Sequence, residues 1–202
     1  MFHVERHQLW LEIAENSPFP VPDALINRLE LFRQWLLEEA VAAGGIGPGE
    51  AERIDVRHIA DSLLFSLVIK PGSGVLDIGT GVGLPGVPLA ILAPDTEFTL
   101  LDRSGRRVDL VRRACRILNL DNVMVIQGDV SEYTGPVATV VARASLPPEK
   151  LLPYLRALVS PDGMAILGGS WTRAPVVAGY ETKEIGSAFL DRSTWILMMR
   201  QT

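Results

Sequence analysis

Val75-Leu-Asp-Ile-Gly-Thr-Gly-Val-Gly-Leu-Pro-Gly86 is the stretch that decides the fold of this chain. A short, mostly apolar run typical of a buried strand leads into a glycine-rich turn, and the turn leads into a helix. Glycines at positions 79, 81 and 83 allow a sharp turn and a close approach to a ligand, and Pro85 suits a first helical turn. This order predicts a loop that binds a nucleotide-like cofactor.

Two classes of cofactor fit such a loop. Gly81-x-Gly83-x-x-Gly86 matches the dinucleotide fingerprint, and Asp102 lies near the spacing of the acid that binds a ribose. Asp77, however, stands at the mouth of the loop, where its charge would oppose a pyrophosphate at a helix N-terminus. S-adenosylmethionine has a cationic sulfonium, an ammonium group and no phosphate, so the charges favour it. A dinucleotide-dependent oxidoreductase is the alternative.

Length and composition set further bounds. With 202 residues, 48% of them hydrophobic, the chain suits one compact domain. The stretch Met1-Phe-His-Val-Glu-Arg-His7 lacks a basic-then-apolar signal, and no apolar run is long enough to span a membrane, so we expect a cytoplasmic protein with no membrane contact. One cysteine and three scattered histidines predict no disulfide and no metal site. Because the net charge is −5, any nucleic-acid partner must bind a local basic patch. We also expect a monomer.

The chain divides near Lys70-Pro-Gly-Ser-Gly74. Before the division, apolar spacing predicts a helix from Pro22 to Ala43, broken by Gly44-Gly-Ile-Gly-Pro-Gly49, and a second helix from Val56 to Val68. We therefore expect an N-terminal helical extension over residues 1–70, packed on a cofactor-binding core over residues 71–202.

After the division, short apolar runs alternate with helical patterns, which is typical of βαβ units and a mostly parallel sheet. A terminal hairpin is predicted from Glu181–Ile185 and Thr194–Met199, around Gly186 and Asp191. The five preceding strands are predicted at Val75–Ile78, Phe98–Leu101, Val123–Ile126, Val137–Val141 and Met164–Leu167.

Ligands of such sheets collect at the carboxyl ends of the first strands. Asp102 follows the second strand and could bond both ribose hydroxyls, with a helix N-cap as the alternative. Asp129 follows the third strand and could meet the adenine edge, or be an ordinary turn acid. Arg143 ends the fourth strand and could bind a carboxylate or phosphate, with a structural ion pair as the alternative.

The reaction class is narrowed by what the sequence lacks. The place of an Asp/Asn-Pro-Pro-aromatic loop, which methylation of an exocyclic amine usually uses, is occupied by Ala142-Arg-Ala-Ser-Leu-Pro-Pro-Glu149. Cys115 falls on the apolar side of a helix predicted from Ser104 to Asn119, so we expect it in the core and not as a nucleophile. Direct displacement onto an acceptor with its own lone pair, such as a ring nitrogen, remains, and it needs no general base.

Three segments carry a family resemblance: Arg57-His-Ile-Ala-Asp-Ser-Leu63, Asp77-Ile-Gly-Thr-Gly-Val-Gly-Leu-Pro-Gly-Val-Pro-Leu-Ala90 and Leu100-Leu-Asp-Arg-Ser-Gly-Arg-Arg107. In order and spacing the chain resembles the RsmG/GidB family from about Leu29 onward. The resemblance implies a Rossmann-like class I methyltransferase fold, with a mostly parallel seven-stranded sheet flanked by helices. It also implies methylation of guanine N7 in 16S ribosomal RNA, free or in the small ribosomal subunit, with S-adenosylmethionine as the methyl donor.

The same resemblance implies which residues form the site. Acceptor-side candidates are His58, Asp61 and Ser62, which three- and four-residue spacing places on one helix face, together with Arg143. Helix packing is the alternative role for the first three. Together with the loop argument, the predicted cofactor-binding set is Asp77, Gly79, Gly81, Gly83, Leu84, Asp102, Asp129, Val130, Ser131 and Arg143.

The sequence departs from the family in two places, of which the second bears on RNA binding. Gly44–Arg53 replaces an Asn-Leu-Thr segment, and Leu167-Gly-Gly-Ser-Trp171 stands where the family usually has a lysine before glycine. Arginines could substitute for that lysine, on an arc of the helix after Asp102 opposite its apolar side. A merely solvated face is the alternative, since Asp109 lies in the arc. The RNA-binding candidates are Arg57, Arg106, Arg112, Arg113 and Arg116.

Two further functions remain open at this point. One is a methyltransferase for a small molecule or for another RNA, and the other is a non-catalytic, RNA-binding relative. The oxidoreductase alternative is weakened because Tyr133, Tyr154 and Tyr180 show no Tyr-x-x-x-Lys spacing.

Overall fold

A computed structural model describes residues 2–143, 147–169, 180–185 and 195–201 of the chain. Its helices are α1 (Phe2–Glu15), α2 (Leu25–Trp35), α3 (Asp61–Leu63), α4 (Gly86–Leu92), α5 (Gly105–Leu118) and α6 (Pro148–Leu158). Its strands are β1 (Val75–Ile78), β2 (Phe98–Asp102), β3 (Val123–Gln127), β4 (Val137–Arg143), β5 (Val159–Gly169), β6 (Tyr180–Ile185) and β7 (Trp195–Gln201).

The strands form one sheet in the order β3-β2-β1-β4-β5-β7-β6. β1 to β5 pair in parallel, while β7 pairs antiparallel with both β5 and β6. The strand order reverses between β1 and β4, so a crevice opens at the carboxyl ends of the strands there. The α/β fold class and the terminal hairpin pairing predicted from the sequence are confirmed. The predicted turn residues Gly186 and Asp191, and Thr194 at the start of the second predicted hairpin strand, lie outside the described residues.

Apolar side chains fill both faces of the sheet. On one face, α4 and α5 bury Leu92 and Val111 in the same cluster as Leu29 of α2, so the N-terminal helices pack directly on the sheet helices. On the other face, Leu151 and Leu155 of α6 cover β1, β4 and β5. Sheets with helices on both faces have central strands buried on both sides, which is why β1, β2 and β4 are mostly apolar and mostly buried.

Three elements differ from the predicted ones. The first predicted helix continues beyond Trp35 as a π-helix at Leu36–Ala40, and the second is a succession of a π-helix (Ile54–Ala60), α3 and a 3-10 helix (Leu64–Leu67). β5 begins earlier than predicted, because Val159 already pairs with Val137 before the ladder resumes at Met164. The intervening Ser-Pro-Asp-Gly sequence, which looks like a turn, forms an irregularity in the strand pairing.

Helix α1 was not predicted as a separate element, yet it anchors the Ile54–Ala60 π-helix. The Trp10 indole N–H donates to the backbone carbonyl of Asp55 at 3.0 Å. Arg6 donates to the Glu30 carboxylate at 3.0 Å, and Arg33 bonds the Asp55 carboxylate. These partly buried contacts fix the segment that carries Arg57 and His58.

Candidate active site

The glycine-rich loop turns sharply between β1 and α4. Gly79, Gly81 and Gly83 have φ angles of +70°, +62° and +92°, a region that side chains rarely adopt. The backbone N–H groups of Gly79 and Thr80 both donate to the carbonyl of Leu101, at 2.8 and 3.1 Å. The loop is thus tied to the end of β2, and its glycines are required by the backbone conformation.

Asp77 does not lie where the charge argument placed it. Its side chain is fully buried beneath the loop, and Oδ2 accepts the backbone N–H of Gly86 at 3.0 Å. Burial raises the pKa of Asp77 to about 7, against the lowering effect of hydrogen bonds from Thr80 and Gly86 and of the nearby Arg143. The carboxyl group therefore holds the loop from beneath, and it does not stand at the mouth of the loop as the charge argument expected.

Asp77 should make the stability of the protein fall as pH rises. The unfolded chain releases this proton near pH 3.8, whereas the folded protein keeps it until about pH 7. Relative to Asp77→Asn, the wild-type free energy of unfolding should drop by about 4 kcal/mol from pH 4 to pH 8, nearly all of it below pH 7. Urea unfolding of wild type and Asp77→Asn at pH 4 and pH 8 measures this difference in the free energy of unfolding. The same pH dependence in both proteins would refute the raised pKa of Asp77.

Gly86 is required by packing. A Cβ atom at this position would lie 2.2 Å from Leu100 Cδ2 and 2.8 Å from the Asp77 carboxylate. Gly86→Ala should therefore lower the free energy of unfolding by about 2 kcal/mol, as overpacking of a rigid core does. The matched control is Gly74→Ala, whose Cβ would meet nothing within 4 Å. Equal melting temperatures of the two variants would contradict the expectation.

Asp102 ends β2 at the centre of the crevice. It is only 4% exposed; Oδ2 accepts the N–H of Gly81 at 3.0 Å and Oδ1 accepts that of Ser104 at 2.9 Å. Arg107 Nη1 lies 3.8 Å from Oδ2. The N-cap of α5 is Ser104, so the carboxylate faces the crevice from beside the helix and does not cap it.

The turn after β3 presents a second acid. Asp129 caps a short 3-10 helix (Val130–Glu132), accepting both the N–H of Ser131 at 3.0 Å and its hydroxyl at 2.7 Å. These bonds lower the pKa of Asp129. Asp129 and Val130 line the crevice, whereas Ser131 does not. Asp129 is therefore both an acid that caps a turn and a residue of the cleft.

Arg143 closes the crevice on the β4 side. Its Nη1 donates to the backbone carbonyl of Arg57 at 2.7 Å, and its Nη2 lies 3.3 Å from His58 Nδ1. The other ring nitrogen of His58 lies 3.6 Å from Glu50 Oε2. The π-helix and the end of β4 are therefore joined through the guanidinium group, and π-helical turns are frequent at functional sites.

These groups surround one cleft of about 400 Å³. The size is that of a small-molecule site. Eight residues predicted from the sequence to form the site line this cleft: Gly79, Gly81, Leu84, Asp102, Asp129, Val130, His58 and Arg143.

Other predicted site residues lie away from the cleft. Gly83 is positioned against Val87, which a Cβ would approach to 2.6 Å. Asp61 and Ser62 are not among the lining residues, and the buried Ser62 hydroxyl donates to the carbonyl of His58 at 2.5 Å. The helix-packing role, stated as the alternative for Ser62, is therefore the one that the structure supports.

The arginine face of α5 is partly occupied by other contacts. Arg113 pairs with Glu39 at 2.9 Å, and Arg112 donates to the carbonyl of Val125 at 3.1 Å. Arg106 and Arg116 are exposed. Cys115 of the same helix is buried, and burial raises the pKa of its thiol to about 11, so it lacks the thiolate of a nucleophile.

Several lining residues were missed by the sequence reasoning. Gly45–Gly47 and Glu50 belong to the segment that departs from the family, and Arg103 and Arg107 flank Asp102 in the sequence. Arg107 could have been found, since it lies five residues after Asp102 and one turn into the helix. No sequence pattern predicted Glu50 as a site residue, because only the fold places its segment beside the glycine-rich loop.

The GidB family model, described as rRNA small subunit methyltransferase G, matches residues 25–189. The chain belongs to this family. It is 36% identical over 171 residues to Ribosomal RNA small subunit methyltransferase G of Chlorobaculum tepidum, covering 83% of this chain and 73% of the relative. The protein of the same name from Streptomyces avermitilis is 38% identical over 135 residues, covering 65% and 57%, so the chain spans little more than half of that relative.

Solved structures show the same fold at low sequence identity. A SAM dependent methyltransferase from Aquifex aeolicus superposes with a TM-score of 0.55 at 16% identity, over 83% of this chain and 96% of the other. A ribosomal protein L11 methylase from Lactobacillus delbrueckii gives 0.57 at 16% identity, over 71% and 77%. Both place the sheet of this GidB-family chain among methyltransferase folds.

The described residues show neither a metal site nor a membrane-spanning helix. In that part of the chain no group of three or more His, Cys, Asp and Glu side chains could hold a metal ion. Likewise, none of its helices has the length and apolar character needed to cross a bilayer.

Proposed function

We propose that this chain transfers the methyl group of S-adenosylmethionine directly to N7 of a guanine in 16S ribosomal RNA. Membership of the rRNA small subunit methyltransferase G family supports the RNA substrate and the reaction. The structural observation that carries the proposal is the buried Asp102 carboxylate, which faces a 400 Å³ cleft beneath the glycine-rich loop.

The residues of the cleft fit this cofactor. Each Asp102 oxygen accepts one backbone N–H and keeps lone-pair capacity for a ribose hydroxyl. The backbone can be approached closely at Gly81, where even an added Cβ would meet only the Gly79 carbonyl, at 3.9 Å. Leu101 and Val130 supply apolar surface suited to an adenine ring.

Each group then has one task. Asp102 would hold the ribose, Asp129 and the Val130 backbone would meet the adenine, and the Gly79–Leu84 loop would enclose the amino-acid end of the cofactor. When bound, S-adenosylmethionine supplies a methyl group activated by a cationic sulfonium. Arg143, fixed between Arg57 and His58, separates the donor side of the cleft from the acceptor side and orients the entering base.

No covalent or base-assisted step is needed. Guanine N7 has an in-plane lone pair, so alignment of nucleophile and methyl group supplies most of the rate. Cys115, the one cysteine of the chain, is buried in the core with a raised pKa, which agrees with a mechanism without a thiolate.

Phosphate contacts are assigned to the arginines. Arg57 has 36% of its side chain exposed and lies 3.6 Å from Glu50, and Arg106 and Arg116 are exposed on α5. Arg112 and Arg113 contribute less, because their contacts with Val125 and Glu39 already hold them. Leu167, near the end of β5 where the family usually has a lysine before glycine, is apolar and buried, so it cannot contact a phosphate. Ser170 and Trp171 lie outside the described residues.

Complementation tests the function in a cell. A bacterial strain deleted for its own 16S rRNA guanine-N7 methyltransferase would receive either this gene or an Asp102→Ala version. We expect 7-methylguanosine to return to the 16S rRNA only with the wild-type gene, as measured by nucleoside mass spectrometry. Its absence despite normal amounts of protein would favour a small-molecule or different RNA acceptor.

A further inference from the structure

Glu50 lines the cleft from a 3-10 helix (Pro48–Arg53), close to His58. The segment before it is fixed against the cofactor loop. The N–H of Gly45 donates to the carbonyl of Ala40 at 2.8 Å, and a Cβ at Gly45 would lie 2.3 Å from Val82 Cγ1. Because the backbone passes so close to Val82, the segment that carries Glu50 has a defined position relative to the glycine-rich loop.

Three basic groups surround the Glu50 carboxylate without saturating it. Arg53 Nη1 lies 3.4 Å and Arg57 Nη1 3.6 Å from Oε1, and His58 Nε2 lies 3.6 Å from Oε2. Charge-assisted hydrogen bonds are usually about 2.7–2.9 Å long. The three contacts are longer, so they orient the carboxylate and leave it able to accept shorter bonds. The side chain is 34% exposed and lines the cleft.

We propose that Glu50 recognises the target guanine by accepting hydrogen bonds from its N1–H and 2-amino groups. The two donors point in the same direction and match the two oxygens of one carboxylate. Adenine presents an acceptor at N1 and no 2-amino group, so it would leave the carboxylate facing an acceptor. The inference rests on the proposed function and names a specificity-determining residue of that site.

The same bond would assist the transfer. The N7 lone pair forms the new bond to the methyl carbon while the sulfonium–methyl bond breaks, and the positive charge moves onto the guanine. The N1 proton stays in place but becomes more acidic, so its bond to Glu50 strengthens in the transition state. An interaction that strengthens there raises kcat as well as discriminating between bases.

Glu50→Gln is the direct test, because it keeps the shape and replaces one acceptor with a donor. With small ribosomal subunits lacking the N7 methyl group, kcat/KM should fall about 100-fold, in the range found for single electrostatic groups. Affinity for S-adenosylmethionine, measured by calorimetry, should stay within about twofold of wild type. Glu52→Gln, an exposed neighbour on the same 3-10 helix, is the matched control and should leave kcat/KM unchanged.

A substrate change separates recognition from a structural role. Subunits are reassembled with inosine, which lacks the 2-amino group, at the guanine that the wild-type protein methylates. Wild type should lose about tenfold in kcat/KM on inosine, while Glu50→Ala, which keeps neither acceptor oxygen for that amino group, should lose less than about twofold.

Each outcome is decisive. Any of three results would overturn the role of Glu50 while leaving the proposed function intact. They are an unchanged kcat/KM in Glu50→Gln, an inosine effect of equal size in wild type and Glu50→Ala, and loss of cofactor binding in Glu50→Gln. Failure of the wild-type protein itself to form 7-methylguanosine would overturn the proposed function and the inference together.

Discussion

Asp102→Ala should weaken the binding of S-adenosylmethionine at least about 100-fold. Hydrogen bonds to a charged group contribute roughly 1.5–3 kcal/mol each, and two ribose hydroxyls would lose theirs. The substitution also removes the acceptor for the N–H groups of Gly81 and Ser104, so the loop loses its anchor. Isothermal titration calorimetry measures the loss, and circular dichroism verifies the fold.

Two comparison variants sharpen this expectation. Asp102→Asn keeps one acceptor oxygen for the backbone and should bind with intermediate affinity. Asp109→Ala removes an acid that is 80% exposed on the neighbouring helix and should bind like wild type. If Asp102→Ala binds the cofactor with unchanged affinity, Asp102 does not belong to the cofactor site.

Arg143→Ala should lower kcat/KM on undermethylated small subunits by about 100- to 1000-fold. The guanidinium group joins the carbonyl of Arg57 to the ring of His58, and truncation leaves a cavity between the donor and acceptor sides. A misplaced acceptor is costly because alignment supplies most of the rate. Arg143→Lys should recover little, since an ammonium group lacks the planar fork that reaches both partners.

Steady-state kinetics on small subunits provides the measurement, with Arg156→Ala, an exposed arginine of α6, as the control. Nearly full activity in Arg143→Ala would show that its contacts serve only to pack the π-helix, the structural alternative considered from the sequence.

Strands β1 to β4 were predictable because each is a mostly apolar run bounded by turn residues. β1 has the predicted bounds and β2 to β4 begin where predicted, each ending one or two residues later. The early start of β5 was not predictable from local pattern, because Ser160-Pro-Asp-Gly163 has turn chemistry and is held in the strand only by its pairing with β4. The π-helix at Ile54–Ala60 likewise depends on tertiary contacts with α1 and α2.

The site was predictable where a side chain follows a strand. Asp102, Asp129 and Arg143 lie in the cleft because the carboxyl ends of β2, β3 and β4 meet there. Asp77 was expected at the mouth of the loop, but its carboxyl points beneath the loop to Gly86, because residues within a strand alternate in direction. Glu50 comes from a distant segment whose placement no local pattern encodes.

Incubation of the purified protein with tritiated S-adenosylmethionine and undermethylated small ribosomal subunits tests the central claim most directly. After digestion of the 16S rRNA to nucleosides, the label should migrate as 7-methylguanosine, in an amount that corresponds to one modified nucleotide per subunit. No label should appear with Asp102→Ala. Label in any other nucleoside, or no label although calorimetry shows that the cofactor binds, would contradict guanine-N7 methylation by this chain.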